Sequence, residues 1–338
     1  MKDKEAFSVE PRLRILVVTA ERRLPDISYV YERLSQNHDL DIRVLSRKQQ
    51  GNLRRALRDV DFKAYDRILF DILFRYIHKQ ASFIRRLSSV IIYEEDSYMN
   101  YLRHSRRYRQ FSRFYRAVPG VRIVVTGAGV AERLRGEGFD ANFLCKGYDE
   151  RRIFCESEAE RDIELGFVGR LGSNTYADRK SLLENLAANE PLQILRTEPG
   201  DPYRRMLNRI RYFVGADVKF GEYMAKNFEA MACGCVVLAW RQGSEEPAIG
   251  LEDGCHLLLY SSMEELRGHL TRLRSEPELG LRIAREGRRF AEQNLTFAKM
   301  AEGLEAQLCK PFPRLPERRP GFVRRGLNGL LRLFGVAI

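Results

Sequence analysis

The sequence has little of what marks metal-binding, disulfide-bonded or membrane-spanning proteins. Its six cysteines form no CxxC pair, and they do not combine with the five histidines in a spacing typical of zinc. This pattern favours reduced thiols in a cytoplasmic protein and predicts no bound metal ion. No apolar run approaches the roughly 20 residues that cross a bilayer, and the first five residues lead into no signal-peptide core.

Two common nucleotide-binding motifs are also missing. No Walker A sequence occurs, and the turn Thr126-Gly127-Ala128-Gly129 is not a dinucleotide fingerprint, because position 132 is Glu. This turn follows a predicted strand. It either presents its backbone N–H groups to a sugar or phosphate, or it is an ordinary turn between strand and helix. Two Asp-x-Asp pairs, at 39–41 and 59–61, do not follow apolar strands, so we interpret them as solvated acids.

What the chain does have is positive charge. It carries 58 Lys and Arg against 46 Asp and Glu, a formal net charge of +12. A basic protein prefers polyanions, which include nucleic acid, anionic lipid and phosphorylated substrates. With 44% hydrophobic and 31% charged residues the chain is folded, and 338 residues suit two domains rather than one.

Strand and helix signals alternate along the chain, which is typical of an α/β protein with parallel sheets. Strands are predicted at 14–18, 41–45, 67–70, 90–93 and 122–126, and again at 164–168, 192–195, 236–239 and 256–260. Helices are predicted around 203–211, at 263–274 and, as one long element, at 279–308. A charged stretch at 156–162 reads as a linker. We therefore predict a first domain at 1–155, a second at 156–310, and a Pro-rich linker with a basic tail at 311–338.

The most informative stretch is 226–239, which reads as a short helix, a turn at Gly234 and a buried strand. Glu229 is the single carboxylate in this otherwise apolar segment. Burying an unpaired charge is unfavourable, so this acid indicates a function. Its alternative is a helix acid that favours the helix dipole.

Four pieces of the second half, in order and spacing, resemble the C-terminal domain of GT-B glycosyltransferases of group 1, particularly the branch related to spore-maturation proteins. They are 167–170 with 178–180, Tyr203 with 207–208, 227–230 with Gly234, and 253–254 with 257–260 and 264–266. The resemblance implies two Rossmann-like domains facing across a cleft. It implies transfer of a sugar from a nucleoside-diphosphate sugar to a hydroxyl of a glycan or lipid-linked acceptor, retaining and metal-independent, in cell-surface polysaccharide or lipopolysaccharide synthesis. No cofactor other than the donor substrate is expected.

The resemblance also assigns donor-binding residues. Glu229 is expected to accept hydrogen bonds from the ribose hydroxyls, and basic groups to stabilise the departing diphosphate. The expected donor site comprises Gly169, Arg170, Arg179, Lys180, Lys226, Asn227, Phe228 and Glu229. Many relatives carry a second acid eight positions before the ribose acid. Here that position is Gly221, with Glu222 beside it, and a backbone contact from Gly221 is one alternative.

Acids also follow the predicted strand at 90–93. Relatives carry an acidic pair at a comparable place, so Glu95 and Asp96 are expected to position an acceptor hydroxyl or to act as a base. The alternative role for Asp96 is helix capping. A chain that keeps the fold but binds nucleotide or glycan without catalysis is the second hypothesis. Nucleic-acid binding is the third, and no recognisable motif supports it.

Two basic segments predict contact with anionic surfaces. A helix over 101–116 would carry a stripe of arginines opposite its aromatic residues, and the tail at 321–338 has apolar residues at helical spacing beside several arginines. The helix is interpreted either as a binder of lipid head groups or of a phosphorylated acceptor, or as a solvated face. The tail is interpreted either as a helix at the membrane surface or as a segment docked on the first domain. The predicted location is the cytoplasm, with peripheral association at the inner face of the cell membrane.

Overall fold

The computed structural model describes residues 12–157, 159–172 and 177–312. The predicted amphipathic tail lies outside the described residues. The described chain forms two parallel sheets, each covered by helices, which confirms the predicted α/β class.

The first sheet has six parallel strands in the order β2-β1-β3-β4-β5-β6. Its strands are β1 (Arg14–Ala20), β2 (Asp39–Leu45), β3 (Arg67–Asp71), β4 (Val90–Glu94), β5 (Arg122–Val125) and β6 (Asp140–Phe143). Its helices are α1 (Leu24–Leu34), α2 (Arg47–Gln50), α3 (Leu53–Ala56), α4 (Phe74–Ile77), α5 (Ala81–Ile84), α6 (Gln110–Ala117) and α7 (Ala128–Gly136). Short 3-10 turns occupy Phe62–Ala64, His78–Gln80 and Ser97–Asn100.

The second sheet has five parallel strands in the order β11-β10-β9-β7-β8. Its strands are β7 (Ile163–Val168), β8 (Leu192–Leu195), β9 (Ile210–Gly215), β10 (Val236–Trp240) and β11 (Leu258–Tyr260). The helices of this half are α8 (Ala177–Ala187), α9 (Asp201–Arg209), α10 (Ala225–Ala232), α11 (Glu245–Ile249), α12 (Met263–Ser275), α13 (Pro277–Asn294) and α14 (Phe297–Cys309).

Strand composition explains why both sheets are buried on two faces. Ile15, Leu16, Val17 and Val18 of β1 are each 0% exposed, and they divide between two separate core clusters, one on each face of the sheet. A run of consecutive apolar residues suits this position, because successive side chains point to opposite faces. Ligands of such sheets bind at the carboxyl ends of the strands, where the strand order reverses.

The predicted helix at 279–308 and the domain boundary at 310 need correction. The chain leaves α13 at Asn294, and Thr296 then caps α14 by accepting a hydrogen bond from the Lys299 N–H at 3.2 Å. α14 does not stay with the second domain. Its buried residues Leu304 and Leu308 join the core beneath β1 and α1, because its apolar face matches that side of the first sheet.

Three further elements differ from the sequence prediction. β6 was not predicted, and β9, at the centre of the second sheet, was partly assigned to the preceding helix. No turn residue separates α9 from β9, so local sequence signals do not mark the boundary. The helix predicted over 101–116 is restricted to α6, because Arg109 has φ +57° and interrupts it. Phe111 and Tyr115 are buried as predicted, but the stripe of arginines is not continuous.

Candidate active site

The loops after β7 and β9 meet where the order of the second sheet reverses. Gly169 follows β7 and donates its N–H to the Leu195 carbonyl at 3.0 Å. The Lys226 ammonium donates to the Val168 carbonyl at 2.9 Å, so it lies at the carboxyl end of β7. A Cβ at position 169 would collide with this ammonium and with the Phe167 ring, so glycine leaves the space that the lysine occupies.

The surroundings of Lys226 disfavour the positive charge of its ammonium group. Burial and the positive charge of Arg179 lower the pKa of Lys226, while Glu229 and Asp217 act in the opposite direction. Its ammonium also lies 5.5 Å from the centre of the Phe167 ring. A lysine whose charge is disfavoured in this way would gain from an added anion.

Glu229 lies one helical turn beyond Lys226 on α10. Its carboxylate accepts a hydrogen bond from the Tyr203 hydroxyl at 2.6 Å. Burial raises the pKa of Glu229, and the hydrogen bond from Tyr203 and the charge of Lys226 oppose this shift only in part. An acid and a base therefore stand together on one helix at the reversal point, which is where the sequence placed the nucleotide end of a donor.

Of the remaining predicted donor residues, two are exposed and the others are buried. Arg170 is exposed at the loop after β7, close enough that its charge lowers the pKa of Lys226. Lys180 is exposed on α8, 3.6 Å from Glu184. Arg179 needs correction: its guanidinium is 3% exposed and ion-paired with Asp217 at 2.7 Å, so it does not face an open loop. Phe228 is also corrected, because it is 1% exposed within the core and can serve the site only by packing.

Asp217, which was not predicted, organises this end of the sheet. It follows β9 and is 2% exposed. Besides Arg179, it accepts hydrogen bonds from the Met224 N–H at 2.9 Å and from the Asn227 side-chain amide at 2.6 Å. Asn227 thus fixes the start of α10 rather than reaching into an open loop. The signal for Asp217 was an acid directly after an apolar strand, and it was missed together with β9.

In the first domain, Glu95 is held by an arginine that sequence reasoning missed. Arg23 donates to both oxygens of Glu95, at 2.6 and 2.8 Å, and to Asp71 at 2.9 Å. The Tyr93 hydroxyl donates to the same carboxylate at 2.7 Å. Burial would raise the pKa of Glu95, but Arg23 outweighs it and holds the pKa at about 2. Glu95 is therefore ionised at neutral pH, and its low pKa makes it a weak proton acceptor.

Asp96 differs from its neighbour. Its side chain makes no capping hydrogen bond to the turn that follows, so the alternative role in capping is not seen. Burial raises the pKa of Asp96, and the positive charge of Lys146 offsets part of the shift. An acid with a raised pKa is closer to the proton affinity that general catalysis requires.

Glu222 joins the two domains beside Asp96. It is 1% exposed, and its carboxylate lies 3.1 Å from the Lys146 ammonium and accepts a hydrogen bond from the Thr126 hydroxyl at 3.1 Å. Burial raises the pKa of Glu222 to about 7, although Lys146 lowers it in part. We call Asp96, Thr126, Lys146 and Glu222 the cleft cluster. Gly221, at the position where relatives carry the second acid, has φ +71°, and its N–H donates to the Gln242 side-chain oxygen at 2.9 Å. The assignment of that acid's role to Glu222 stays a prediction.

The turn at 126–129 lies at the contact between the domains. The Gly129 N–H donates to Glu245 at 3.1 Å. A Cβ on Gly129 would come within 2.7 Å of the Ser244 hydroxyl, and one on Gly127 within 3.1 Å of Glu222. The close approach of the second domain explains why these two positions are glycines. The turn at 126–129 is therefore a contact between the domains, a role that neither prediction, a ligand-facing turn or an ordinary turn, included.

Across residues 12–157, 159–172 and 177–312, no group of three His, Cys, Asp or Glu side chains is arranged to hold a metal ion. In the same residues no helix is both long and apolar enough to cross a membrane.

The fold is similar to that of several solved structures. HepE from Anabaena, in complex with UDP, is 14% identical, with a TM-score of 0.61 over 87% of this chain and 99% of that chain. Sucrose-phosphate synthase from Thermosynechococcus elongatus is 11% identical, with a TM-score of 0.62 over 88% and 98% of the two chains. A variant of phage T4 BGT, in complex with UDP-glucose, is 10% identical, with a TM-score of 0.53 over 88% and 100%. At such identities the likeness shows the fold alone, which is GT-B.

Comparison with curated protein sequences gave no match. The family model described as glycosyl transferase-like matches residues 106–306. This match spans the end of the first domain, nearly all of the second domain, and Thr126, Lys146 and Glu222 of the cleft cluster, but it begins after Asp96. The narrower spore-maturation branch stays a prediction. Because the matched segment exceeds half of the chain, the protein belongs to the glycosyl transferase-like family and is a glycosyltransferase with the GT-B fold.

Proposed function

We propose that the protein transfers a sugar from a nucleoside-diphosphate donor to a hydroxyl of a glycan or lipid-linked acceptor. The observation that carries the proposal is that Lys226 and Glu229 lie one turn apart on α10, at the reversal point of the second sheet. UDP-glucose is the first donor to test, since HepE and phage T4 BGT are structures with UDP or UDP-glucose.

The donor would lie along α10. Glu229 would accept hydrogen bonds from the ribose hydroxyls, and Lys226 with Arg170 would face the diphosphate. The N-terminus of α10 adds the partial positive charge of its helix dipole. When the bond between the sugar and the diphosphate breaks, the electron pair leaves with the phosphate oxygen, and these positive groups stabilise the developing charge without a metal ion.

The acceptor would approach from the first domain. Its hydroxyl oxygen forms the new bond to the anomeric carbon. In a retaining reaction the hydroxyl proton passes to the departing phosphate oxygen. Asp96 would orient that hydroxyl, while Glu95 stays ionised beside Arg23 and keeps the strand end in place. NMR of the product reports the anomeric configuration, and an inverted product would instead assign Asp96 the role of base.

The decisive experiment has two stages. A thermal-shift screen against UDP-, GDP-, ADP- and TDP-sugars identifies the donor, because ligands that bind the native state raise its stability. Release of the nucleoside diphosphate is then measured with and without EDTA. Binding without release over the whole panel would favour the noncatalytic alternative, which Gly221 at the position of the family's second acid keeps open.

The cellular setting is part of the same proposal. We place the enzyme in the cytoplasm, in peripheral contact with the inner face of the membrane, in the synthesis of cell-surface polysaccharide or lipopolysaccharide. The net charge of +12 supports attraction to anionic lipid. Liposome flotation of the full chain beside a chain ending at Leu315 tests the part played by the tail, and equal binding of the two would remove it.

A further inference from the structure

A second pocket, of about 270 Å³, opens in the first domain and shares no lining residue with the candidate active site. It lies between the segment that joins α2 to α3 and the segment around α5. Its walls carry three cationic side chains, Arg54, Lys79 and Arg86, together with Asn52 and Ser82. We call it the β2–β3 pocket, since its two walls follow these strands.

Buried amides tie the walls of this pocket together. The Gln80 side chain is 9% exposed and donates to the Gly51 carbonyl at 2.9 Å, which joins one wall to the other. The Gln50 side chain is 5% exposed and donates to the Leu45 carbonyl at 3.2 Å, at the carboxyl end of β2. The pocket is therefore braced at the same end of the first sheet as Asp96.

The charge around this pocket is one-sided. Residues 47–86 contain 11 Lys and Arg against four Asp and no Glu. Within the described part of the chain, Arg54, Lys79 and Arg86 form no ion pair, whereas many other surface arginines, such as Arg272 with Glu276 at 3.3 Å, are paired. These three exposed cations, one on the first wall and two on the second, repel one another, and an anion between them would remove that repulsion.

Size and charge together define the ligand. Pockets for whole drug-sized ligands span roughly 300–1,000 Å³, so this pocket suits a single charged group rather than a glycan chain. Guanidinium groups bind phosphate through paired hydrogen bonds, and lysine adds a point charge. A phosphate monoester or diphosphate carries the two or more negative charges that three cations balance, whereas a carboxylate carries one.

We infer that the β2–β3 pocket binds a phosphate or diphosphate group carried by the acceptor. That the phosphate belongs to an acceptor rests on the proposed function. That the pocket binds phosphate does not depend on it. It narrows the acceptor class to phosphorylated molecules, and the phosphate would hold the acceptor on the first domain while its hydroxyl faces the cleft cluster. The phosphate could belong to a lipid or to a soluble sugar phosphate.

Matched triple variants of the full chain test this. The pocket variant combines Arg54→Gln, Lys79→Gln and Arg86→Gln. The control combines Arg58→Gln, Lys63→Gln and Arg85→Gln, which changes net charge equally at exposed cations of the same region that do not line the pocket. Inorganic pyrophosphate is titrated by calorimetry, and vesicles of phosphatidylcholine with or without phosphatidic acid are used for co-sedimentation. Lys226→Met, in the donor site, is measured in parallel with UDP and pyrophosphate.

The pocket variant should weaken one class of pyrophosphate site by at least about tenfold, because each lost charge-assisted hydrogen bond contributes about that factor. It should leave UDP affinity within about twofold of that of the unmodified chain. Lys226→Met should instead weaken UDP binding and leave that class of pyrophosphate site unchanged. A selective loss with pyrophosphate identifies a soluble source, and a selective loss on phosphatidic acid vesicles identifies a lipid source. Equal behaviour of the two triple variants in both arms would overturn the inference. Absence of UDP binding by the unmodified chain would instead overturn the proposed donor site.

Discussion

Replacement of Glu229 by alanine is the sharpest test of the donor site. This carboxylate is half-buried on α10, and the Tyr203 hydroxyl donates to it at 2.6 Å. If it also accepts hydrogen bonds from two ribose hydroxyls, the variant loses two hydrogen bonds to a charged group. Such bonds contribute about 1.5–3 kcal/mol each. The expected loss of at least about 3 kcal/mol corresponds to a donor affinity lower by more than about 100-fold.

Stability should respond much less than affinity. The variant removes the hydrogen bond from Tyr203, which contributes about 1 kcal/mol. However, burial raises the pKa of Glu229, so its charge is unfavourable in the folded state, and removing it offsets that loss. We therefore expect the free energy of unfolding at neutral pH to change by less than about 1 kcal/mol.

Calorimetry with UDP and urea unfolding measure the two quantities on the same preparation. Tyr203→Phe is the matched control, because it removes the internal hydrogen bond but keeps the acid, and donor affinity should fall by less than about tenfold. An affinity of Glu229→Ala within about threefold of the unmodified protein, with the fold intact, would refute the assignment of this acid to the ribose.

Four further outcomes follow. Lys226→Met should weaken UDP binding by about tenfold or more while Lys180→Met has little effect, and equal losses in calorimetry would contradict the position of Lys226. Asp96→Asn should lower kcat at least about tenfold with donor affinity unchanged, and an unaltered kcat in the release assay would exclude its role. Leu304→Ala should lower the free energy of unfolding by about 2–5 kcal/mol, and a urea midpoint like that of the unmodified chain would show that α14 does not hold the first domain. Burial raises the pKa of Glu222 from 4.5 to about 7, so between these pH values the folded state binds more protons than the unfolded state. The free energy of unfolding, relative to that of Glu222→Gln, should therefore fall by up to about 3 kcal/mol as the pH rises from 4.5 to 7. A difference between the two proteins that does not vary with pH would contradict this.

Strands with long, continuous apolar runs were predicted correctly from the local sequence. The strands with continuous apolar runs, such as β1 and β10, lie where the sequence predicted them, because burial on both faces requires that composition. The two-domain α/β organisation follows from their repetition. Glu229 could be predicted for a related reason, since a carboxylate within an apolar helix and strand needs a partner or a function.

What the sequence did not reveal depends on contacts between distant segments. Arg23 and Glu95 are 72 residues apart, and Lys146 and Glu222 are 76 apart, so no spacing rule connects either pair. The pairing of Arg179 with Asp217 likewise converts an expected phosphate contact into a buried ion pair. α14 was assigned to the wrong domain because an amphipathic helix does not specify which sheet it covers.

The ion pair between Lys146 and Glu222 connects the two halves of the reaction. Lys146 follows the last strand of the first sheet, near Asp96, and Glu222 comes shortly before α10, which carries Lys226 and Glu229. Through this pair, the helix that would hold the donor is anchored to the edge of the domain that would hold the acceptor. Because breaking a buried pair leaves an uncompensated charge, the pair favours one relative placement of donor and acceptor. We therefore expect the cleft cluster to align donor and acceptor, whether or not any of its members exchanges a proton with the substrate.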